Sequence, residues 1–443
     1  MNIKFYILSL IVLLFFKANA QSDVRLLSKE EAVKYTLTNN LGIKMSANEA
    51  KVSENNAGIL NSGYLPSVVG NAGASIDKLN TEGKLADGNI RSADGAQTRR
   101  YNTSINVNYT LFDGMGRYYN YKSLQEQYDL SELQVRETIE NTLIQLFSVY
   151  YEVARIEENN NVLKEALTIS KERLQRAKYQ FEYGQNTGLD VLNAEVDVNT
   201  DSINLLNEQQ LLRNTKRDLN LVMNRDLSMS FKVDTLVTFI PDLVMLDLYD
   251  SAYENNVRIQ QAEKNIAISE YSYKASKSGY LPTVGLTGSY GWNESSTINN
   301  PLAFSLQNTS TGLTGGLNLT WNLFDGGRTI TQVKNAKIIS ENQELFKEQI
   351  FLEVERNIKN AWETYKNTLY VLQAQEKNVA TNQNNFNRTE ERYKIGQSTS
   401  IEFRQAQINL LNAVLAKNQA KYTAKLAELQ VLQVSGQLLN TDF

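Results

Sequence analysis

Residues 101–114 read YNTSINVNYTLFDG, and residues 313–326 read LTGGLNLTWNLFDG. Both stretches alternate apolar with polar side chains and end in Leu-Phe-Asp-Gly, and they stand 212 residues apart. Alternation with a period of two predicts a β-strand that has one apolar face. Two copies of the same strand and exit at a fixed offset indicate that the chain repeats one structural unit.

Two further motifs keep nearly the same offset. Gly63-Tyr64-Leu65-Pro66 returns at 279–282, and Tyr183-Gly184-Gln185 returns at 395–397 as Ile-Gly-Gln. Each unit is therefore predicted to run strand, loop, strand, long helix, tight turn, long helix. The predicted boundaries are 21–225 for the first repeat, 226–248 for a small girdle or linker and 249–443 for the second repeat.

The N-terminus has the pattern of a cleaved targeting segment. Lys4 precedes the apolar run Phe5 to Phe16, and Ala18-Asn19-Ala20 supplies a small-x-small cleavage site. We expect residues 1–20 to be a signal peptide and the mature chain to be exported.

Composition excludes several classes of function. The chain has no cysteine and no histidine, which removes disulfides, thiol catalysis, the commonest general base and the commonest metal ligand. The net charge of −4 provides no excess of basic residues for binding nucleic acid. The carboxylate pairs Glu157-Glu158 and Glu390-Glu391 stand in helical repeats rather than in a pocket-like context. We expect no enzyme, no cofactor and no metal site.

The strands are predicted to cross a membrane. Two further runs alternate with the same period, one with Val68, Ala72, Ala74 and Ile76 on its apolar face and one with Val284, Leu286, Tyr290 and Trp292. Each of the four runs has about 10 to 12 residues, and its polar face is built from Asn, Thr, Ser and Gly. A soluble sheet is the alternative, although its outward face usually carries more charge. Residues 77–100 and 293–310 are predicted to be exposed loops. Four strands are too few to close a barrel, so strands of other chains must complete it; three chains give twelve.

The remaining sequence is predicted to form long helices. Arg117 to Tyr183 and Arg328 to Ile395 contain neither Gly nor Pro. Apolar residues at heptad or a/d spacing predict coiled-coil packing. These are Ile139, Leu143, Leu146, Tyr150 and Val153; Val191, Val198, Leu205, Leu212 and Leu219; and Ile401, Ile408, Leu415, Tyr422 and Leu429.

Two glycine-containing turns reverse these helices, and Thr or Ser can cap the helix that follows. The turns are the points most distant from the strands, so they are predicted to contact a partner. The turn residues are Tyr183, Gly184, Gln185, Gly188, Ile395, Gly396 and Gln397.

The order and duplication of these motifs resemble the TolC-type outer-membrane efflux proteins. The resemblance extends from about Leu26 to Leu439 and includes Arg392-Tyr393-Lys394-Ile395-Gly396. It implies an α+β homotrimer, in which a twelve-stranded barrel in outer-membrane lipid continues as an α-helical coiled-coil tunnel in the periplasm of a Gram-negative cell. It also implies passive export, with an inner-membrane transporter and a periplasmic adaptor (membrane fusion) protein as partners.

The resemblance further implies a ring of acidic residues at the periplasmic aperture. Glu402 occupies the first expected acidic position, whereas the second falls on Gln405, which departs from the family pattern. Asp190 and Asn193 are their counterparts in the first repeat. Asp197 and Asp201 share a helix face with Asp190 and either extend this acidic lining or are simply solvated. A periplasmic coiled-coil adaptor or scaffold is the alternative interpretation, although two tandem units that each begin with membrane-like strands argue against it.

Overall fold

The computed structural model describes residues 25–241, 244–300, 302–303 and 305–441, without the side chain of Leu246. The predicted signal peptide, residues 1–20, lies outside this part of the chain. None of the helices in these ranges is both long enough and apolar enough to span a membrane.

The described residues fall into two units. A helical unit consists of 25–48, 133–260 and 349–441, and a sheet unit consists of 49–132 and 261–348. Both predicted repeats contribute to each unit, so this division in space is not the tandem division along the chain. The repeat boundaries at 225 and 249 stay a prediction.

Helices dominate the described part of the chain, and two of them have 67 residues each. The helices are α1 (Lys29–Asn39), α2 (Leu41–Asn56), α3 (Gly116–Glu182), α4 (Gly188–Val222), α5 (Met245–Asn255), α6 (Val257–Ser276), α7 (Arg328–Lys394) and α8 (Ser400–Val434). The predicted long helices are confirmed to within one residue at each end, because glycine-containing turns limit them at both ends.

Four long strands form one antiparallel sheet. These four are β2 (Ser67–Lys84), β3 (Ile90–Phe112), β5 (Thr283–Ile298) and β6 (Gln307–Thr320). Two short strands, β1 (Leu26–Leu27) and β4 (Lys232–Val233), form a separate pair. The sheet has the order β2-β3-β5-β6, so β2 and β6 are its edges. Ile105 lies opposite Tyr290, and Tyr290 lies opposite Leu313, so the predicted apolar faces coincide across the sheet.

The two predicted loops are wrong in extent. β2 and β3 continue through most of 77–100 and leave only residues 85–89 as a turn. β5 and β6 likewise extend into 293–310. The backbone ladder continues past the apolar segment because its hydrogen bonds join N–H to carbonyl groups and do not depend on side-chain polarity.

The core of the helical unit lies along α3, α4 and α8. The a/d residues Leu143, Leu146, Tyr150 and Val153 of α3 are fully buried, as predicted, and pack with residues of α4 and α8. Near the start of α8 the predicted heptad is wrong: Ile401 is 76 % exposed. The buried positions there are instead Phe403, Ala406 and Ala413.

The predicted linker packs closely against the helical unit. Its strand β4 pairs in parallel with β1 near the N-terminus. Phe231 and Val233 are buried in the main core, and Lys216 of α4 donates a hydrogen bond to the Phe231 carbonyl (2.6 Å). Lys425 of α8 donates to the Thr238 carbonyl (2.8 Å), so charged side chains hold the segment by its backbone.

One asparagine in each repeat joins the end of a hairpin to the start of another helix. Asn40 Nδ2 donates to the carbonyl of Val222, the last residue of α4 (2.8 Å), and Asn256 Nδ2 donates to the carbonyl of Val434, the last residue of α8 (2.7 Å). Each Oδ1 also accepts a backbone N–H from the first turn of the following helix, α2 or α6. These contacts satisfy groups that helix ends otherwise leave unpaired.

Candidate functional site

The helical hairpins turn at two glycines that require left-handed backbone. Gly184 follows α3 with φ +70°, and Gly396 follows α7 with φ +78°. The Gln185 N–H donates to the Gln180 carbonyl, and the Gln397 N–H donates to the Arg392 carbonyl, both at 2.7 Å. A Cβ at either glycine would meet nothing within 4 Å. The predicted tight turns are therefore confirmed, and they are open at their tips.

The residues predicted for a partner contact are mostly accessible. Tyr183, Gly184 and Gln185 are exposed, as are Ile395, Gly396 and Gln397, whereas Gly188 is half-buried. Just inside the second turn, the rings of Tyr393 and Phe403 stack at 4.8 Å, and the Arg176 guanidinium lies 4.9 Å from the Tyr393 ring centroid. An exposed turn thus stands on an ordered aromatic base.

The predicted aperture residue Glu402 caps its own helix. Its carboxylate accepts hydrogen bonds from the Thr399 N–H (2.8 Å) and the Ser398 hydroxyl (2.8 Å), while the Glu402 N–H donates to Thr399 Oγ1 (3.2 Å). The hydrogen bond from the Thr399 backbone, followed by those from Ser398 and Thr399 side chains, lowers the pKa of Glu402. The side chain therefore combines an exposed, ionised carboxylate with a fixed position.

The first repeat carries the same arrangement. The Asp190 carboxylate accepts from the Thr187 N–H (3.1 Å) and the Thr187 hydroxyl (2.8 Å) at the start of α4. Asp190, Asn193 and Gln405 line one cavity of about 300 Å³, together with Arg173 and Arg404. Three of the four predicted aperture residues thus come together in space, and Glu402 is not among the lining residues of this cavity.

Behind the cavity lies a buried ionic network that the sequence did not predict. Arg404 of α8 donates to both oxygens of Asp201 of α4, at 2.8 and 2.7 Å. Ser170 of α3 donates to Asp201 Oδ2 at 2.5 Å. Burial alone lowers the pKa of Arg404, but the hydrogen bonds and charges of Asp201 and Asp197 raise it overall. Three helices meet at this one network.

For Asp201, the expectation of a solvated or pore-lining carboxylate is therefore corrected, whereas Asp197 is 27 % exposed and lines the cavity. Asp201 is 4 % exposed and Asp197 forms ion pairs with Arg173 and Arg404. Their charges are balanced within the chain, so they cannot act as free carboxylates. Asp201 and Arg404 are 203 residues apart, which leaves no local sequence signal for the pair.

A second feature missed at the sequence level is an apolar row on α4. Its members are 57 to 65 % exposed and follow a/d spacing. We call this row the outer seam of α4; it consists of Leu189, Leu192, Val196, Ile203 and Leu206. A heptad search on both faces of the helix would have found it. An exposed coiled-coil seam of this kind is typical of a surface that packs against another helix.

Three of the four carboxylates considered for an enzyme form ion pairs, including Glu390 with Lys394. Glu157 lies 2.6 Å from Lys216, and Glu158 lies 2.7 Å from Lys421. Within the described ranges, no three His, Cys, Asp or Glu side chains are grouped so that they could hold a metal ion.

Comparison with known proteins gives a consistent result. The family model described as "Outer membrane efflux protein" matches residues 32–225 and 248–437. The outer membrane efflux protein BepC of Brucella suis is 22 % identical over 401 residues, which cover 90 % of this chain and 83 % of BepC. The outer membrane protein TolC of Vibrio cholerae is 22 % identical over 320 residues, covering 70 % and 71 % of the two chains.

A solved structure shares the fold. The Campylobacter jejuni CmeC outer membrane channel superimposes with a TM-score of 0.75 at 18 % sequence identity, covering 93 % of this chain and 86 % of CmeC. At this level of identity the likeness shows a shared fold. Because the family model matches most of the sequence, the chain belongs to the outer membrane efflux protein family, whose members are channels of the outer membrane.

Proposed function

We propose that three copies of this chain form one export channel, with a twelve-stranded barrel in the outer membrane and an α-helical tunnel in the periplasm. The observation that carries this proposal is the four-stranded sheet of β2, β3, β5 and β6. Within the described residues, the outer edges of β2 and β6 have no pairing strand. In lipid each unpaired backbone group costs several kcal/mol, so both edges require partners.

The sheet also has the dimensions and surface that a membrane strand needs. Its strands have 14 to 23 residues, and a tilted strand of about 9–11 residues crosses the hydrocarbon core. Ile105, Tyr290 and Leu313 lie side by side on one face and are all exposed. An exposed apolar face and two open edges are both explained by closure with neighbouring copies in lipid.

The outer seam of α4 supports an assembly of the helices. Five apolar side chains at a/d spacing remain exposed in a single chain. Burying such a row against a helix of the next copy is favourable by about 25 cal/mol per Å² of apolar area. We propose that this seam forms the contact between protomers along the tunnel.

The hairpin turns supply the partner surface and the aperture in this proposal. Tyr183, Ile395 and the neighbouring turn residues contact a periplasmic adaptor, which connects the channel to an inner-membrane transporter. Glu402 and Asp190 supply negative charge at the periplasmic entrance, with Gln405 and Asn193 as neutral neighbours. Three copies of an exposed carboxylate around a narrow axis favour cations.

Disulfide cross-linking between the sheet edges tests the trimer. The chain has no cysteine, so every introduced thiol is unique. One cysteine replaces Gly70 on β2, and a second is moved along β6 from Thr311 to Leu319 in separate variants. At the matching register, oxidation is expected to link three chains into a closed species with three times the mass of the mature chain. The control carries cysteines at Ile105 and Tyr290, which face each other within one chain and must give a monomer.

Products that stop at two chains, or a complete absence of cross-links along β6, would contradict a three-chain barrel.

Conductance of the purified mature protein in a planar bilayer tests the channel itself. Discrete steps are expected; a cross-linked trimer that never conducts would argue for a scaffold rather than a pore.

A further inference from the structure

Two cationic side chains lie just beyond the apolar part of the sheet, on the same face. Arg99 of β3 lies directly opposite Ile76 of β2, and Lys78 is two residues beyond Ile76. Arg99 is also two residues from Tyr101 along β3. Since residues i and i+2 of a strand share a face, Lys78 and Arg99 continue the face that carries Ile76, Tyr101 and Ile105.

Lys78 and Arg99 are not neutralised by any residue in the described part of the chain. Lys78 and Arg99 are exposed and have no ion-pair or hydrogen-bond partner among the residues that the structure describes. The Lys78 stem lies over Gly95, where Cε is 3.0 Å from the position that a Cβ would take. Gly95 belongs to an irregularity of the ladder, and its N–H donates to Asn80 Oδ1 at 2.7 Å.

The next residue provides a contrast. Arg100 points to the opposite face of β3, where it forms an ion pair with Asp77 of β2. Among the described residues, Arg100 on the polar face is therefore paired, whereas Arg99 on the apolar face has no partner. On the apolar face, Glu294 lies opposite Tyr101 and accepts a hydrogen bond from Gln307 at 3.1 Å.

We infer that Lys78 and Arg99 bind the phosphate groups of the glycolipid in the outer leaflet. This inference rests on the proposed function, because it requires the face of Ile76 and Ile105 to contact lipid and the β2–β3 turn to lie on the outer side. The two cations then stand about 7 Å from Tyr101 or Ile76, at the level where hydrocarbon gives way to head groups.

The chemistry of both side chains suits a phosphate ester. A guanidinium binds phosphate oxygens through two parallel N–H groups, and an ammonium supplies a compact charge beside it. Continuity with the apolar face favours a lipid over a dissolved anion, since the acyl chains of the same molecule would cover Ile76 and Ile105. Three copies of the chain would place six such cations around the barrel.

Binding of lipid A by the purified, mature protein tests the inference. Native mass spectrometry would compare bis-phosphorylated lipid A with its dephosphorylated form on the native chain, Lys78→Gln, Arg99→Gln and the double variant. A basic residue near an anionic lipid surface contributes about fivefold in affinity. We expect each single variant to weaken binding of phosphorylated lipid about fivefold and the double variant about 25-fold, with dephosphorylated lipid unaffected.

Arg100→Gln is the matched control, because it removes the same charge from the neighbouring residue on the other face. It is expected to stay within twofold of the native protein. A double variant within twofold of native, or an Arg100→Gln variant as weak as the double, would overturn the inference. Conductance separates this result from the proposed function. A native channel that conducts but binds both lipids equally overturns only the lipid site, whereas selective binding without conductance overturns only the channel.

Discussion

Replacing Arg404 with methionine tests whether the buried network holds the helices of the hairpins together. Arg404 is the only residue of α8 that hydrogen-bonds Asp201 in the described part of the chain, and it does so through two nitrogens. Methionine keeps most of the side-chain volume but removes the charge. Asp201 would then stay buried with only the Ser170 hydroxyl as a partner.

The expected loss of stability follows from the burial of the Arg404 and Asp201 side chains. The Arg404 side chain is 11 % exposed and the Asp201 side chain is 4 % exposed, so solvent screens the remaining charge poorly. Removing one member of such a pair costs about 3–5 kcal/mol, because the other charge is left without compensation. Replacing both members by apolar residues removes that penalty, so Asp201→Leu together with Arg404→Met is expected to restore at least about 2 kcal/mol.

Urea unfolding of the purified protein, followed by circular dichroism at one fixed protomer concentration, measures both changes. Lys394→Met is the matched control, since it breaks an exposed pair with Glu390 and is expected to cost less than about 0.5 kcal/mol. A cost below about 1 kcal/mol for Arg404→Met would refute the reasoning. So would a double variant whose loss equals the sum of the two single losses.

Three other predictions concern the turns and helix ends. Since hydrogen bonds from Thr399 and Ser398 lower the pKa of Glu402, its carboxylate stays charged at pH values below the ordinary 4.5. Cation selectivity, measured by reversal potential, should therefore be constant from neutral pH down to at least pH 4.5 and fall only in stronger acid. Glu402→Gln should remove this pH dependence, and an unchanged profile would exclude Glu402 from the aperture. Gly396→Ala should cost about 1–2 kcal/mol from backbone strain alone, whereas Gly436→Ala should cost more in the same urea assay, because its Cβ would lie 2.6 Å from the Asn255 carbonyl. Asn256→Ala should lower the free energy of unfolding by about 1–3 kcal/mol, because the Val434 carbonyl at the end of α8 loses its donor. A change near zero would mean that water replaces the amide as donor.

Local patterns in the sequence predicted most of the helical architecture. Glycines limit α3 and α7, and no breaker interrupts 117–183 or 328–395, so the helix bounds were predicted to within a residue. The a/d spacing of α3 correctly identified its buried face at Leu143 and Tyr150. These features depend on neighbours within one or two turns, which a single sequence contains.

Features that depend on distant residues were missed. The hydrogen-bonded ladder of β2 and β3 continues through polar residues as far as the pair Lys84 and Ile90. Its length is decided by pairing with the facing strand and not by hydrophobic alternation. The pairing of Arg404 with Asp201 links two repeats and has no periodic signature. For the same reason the sequence placed Ile401 in a seam that the structure fills with Phe403.

The hydrogen bonds that Asn40 and Asn256 donate to the ends of α4 and α8 bear on whether the two repeats must follow each other in this order. Each repeat secures its own hairpin end locally, and Leu27 and Leu438, near the two ends of the described chain, are buried in one core cluster. Termini that lie close together are the usual requirement for circular permutation. A circular permutant that begins after Pro241 and has residue 441 joined to residue 25 would keep both asparagine hydrogen bonds and the core residues. We therefore expect the fold to form with the two repeats in either order along the chain.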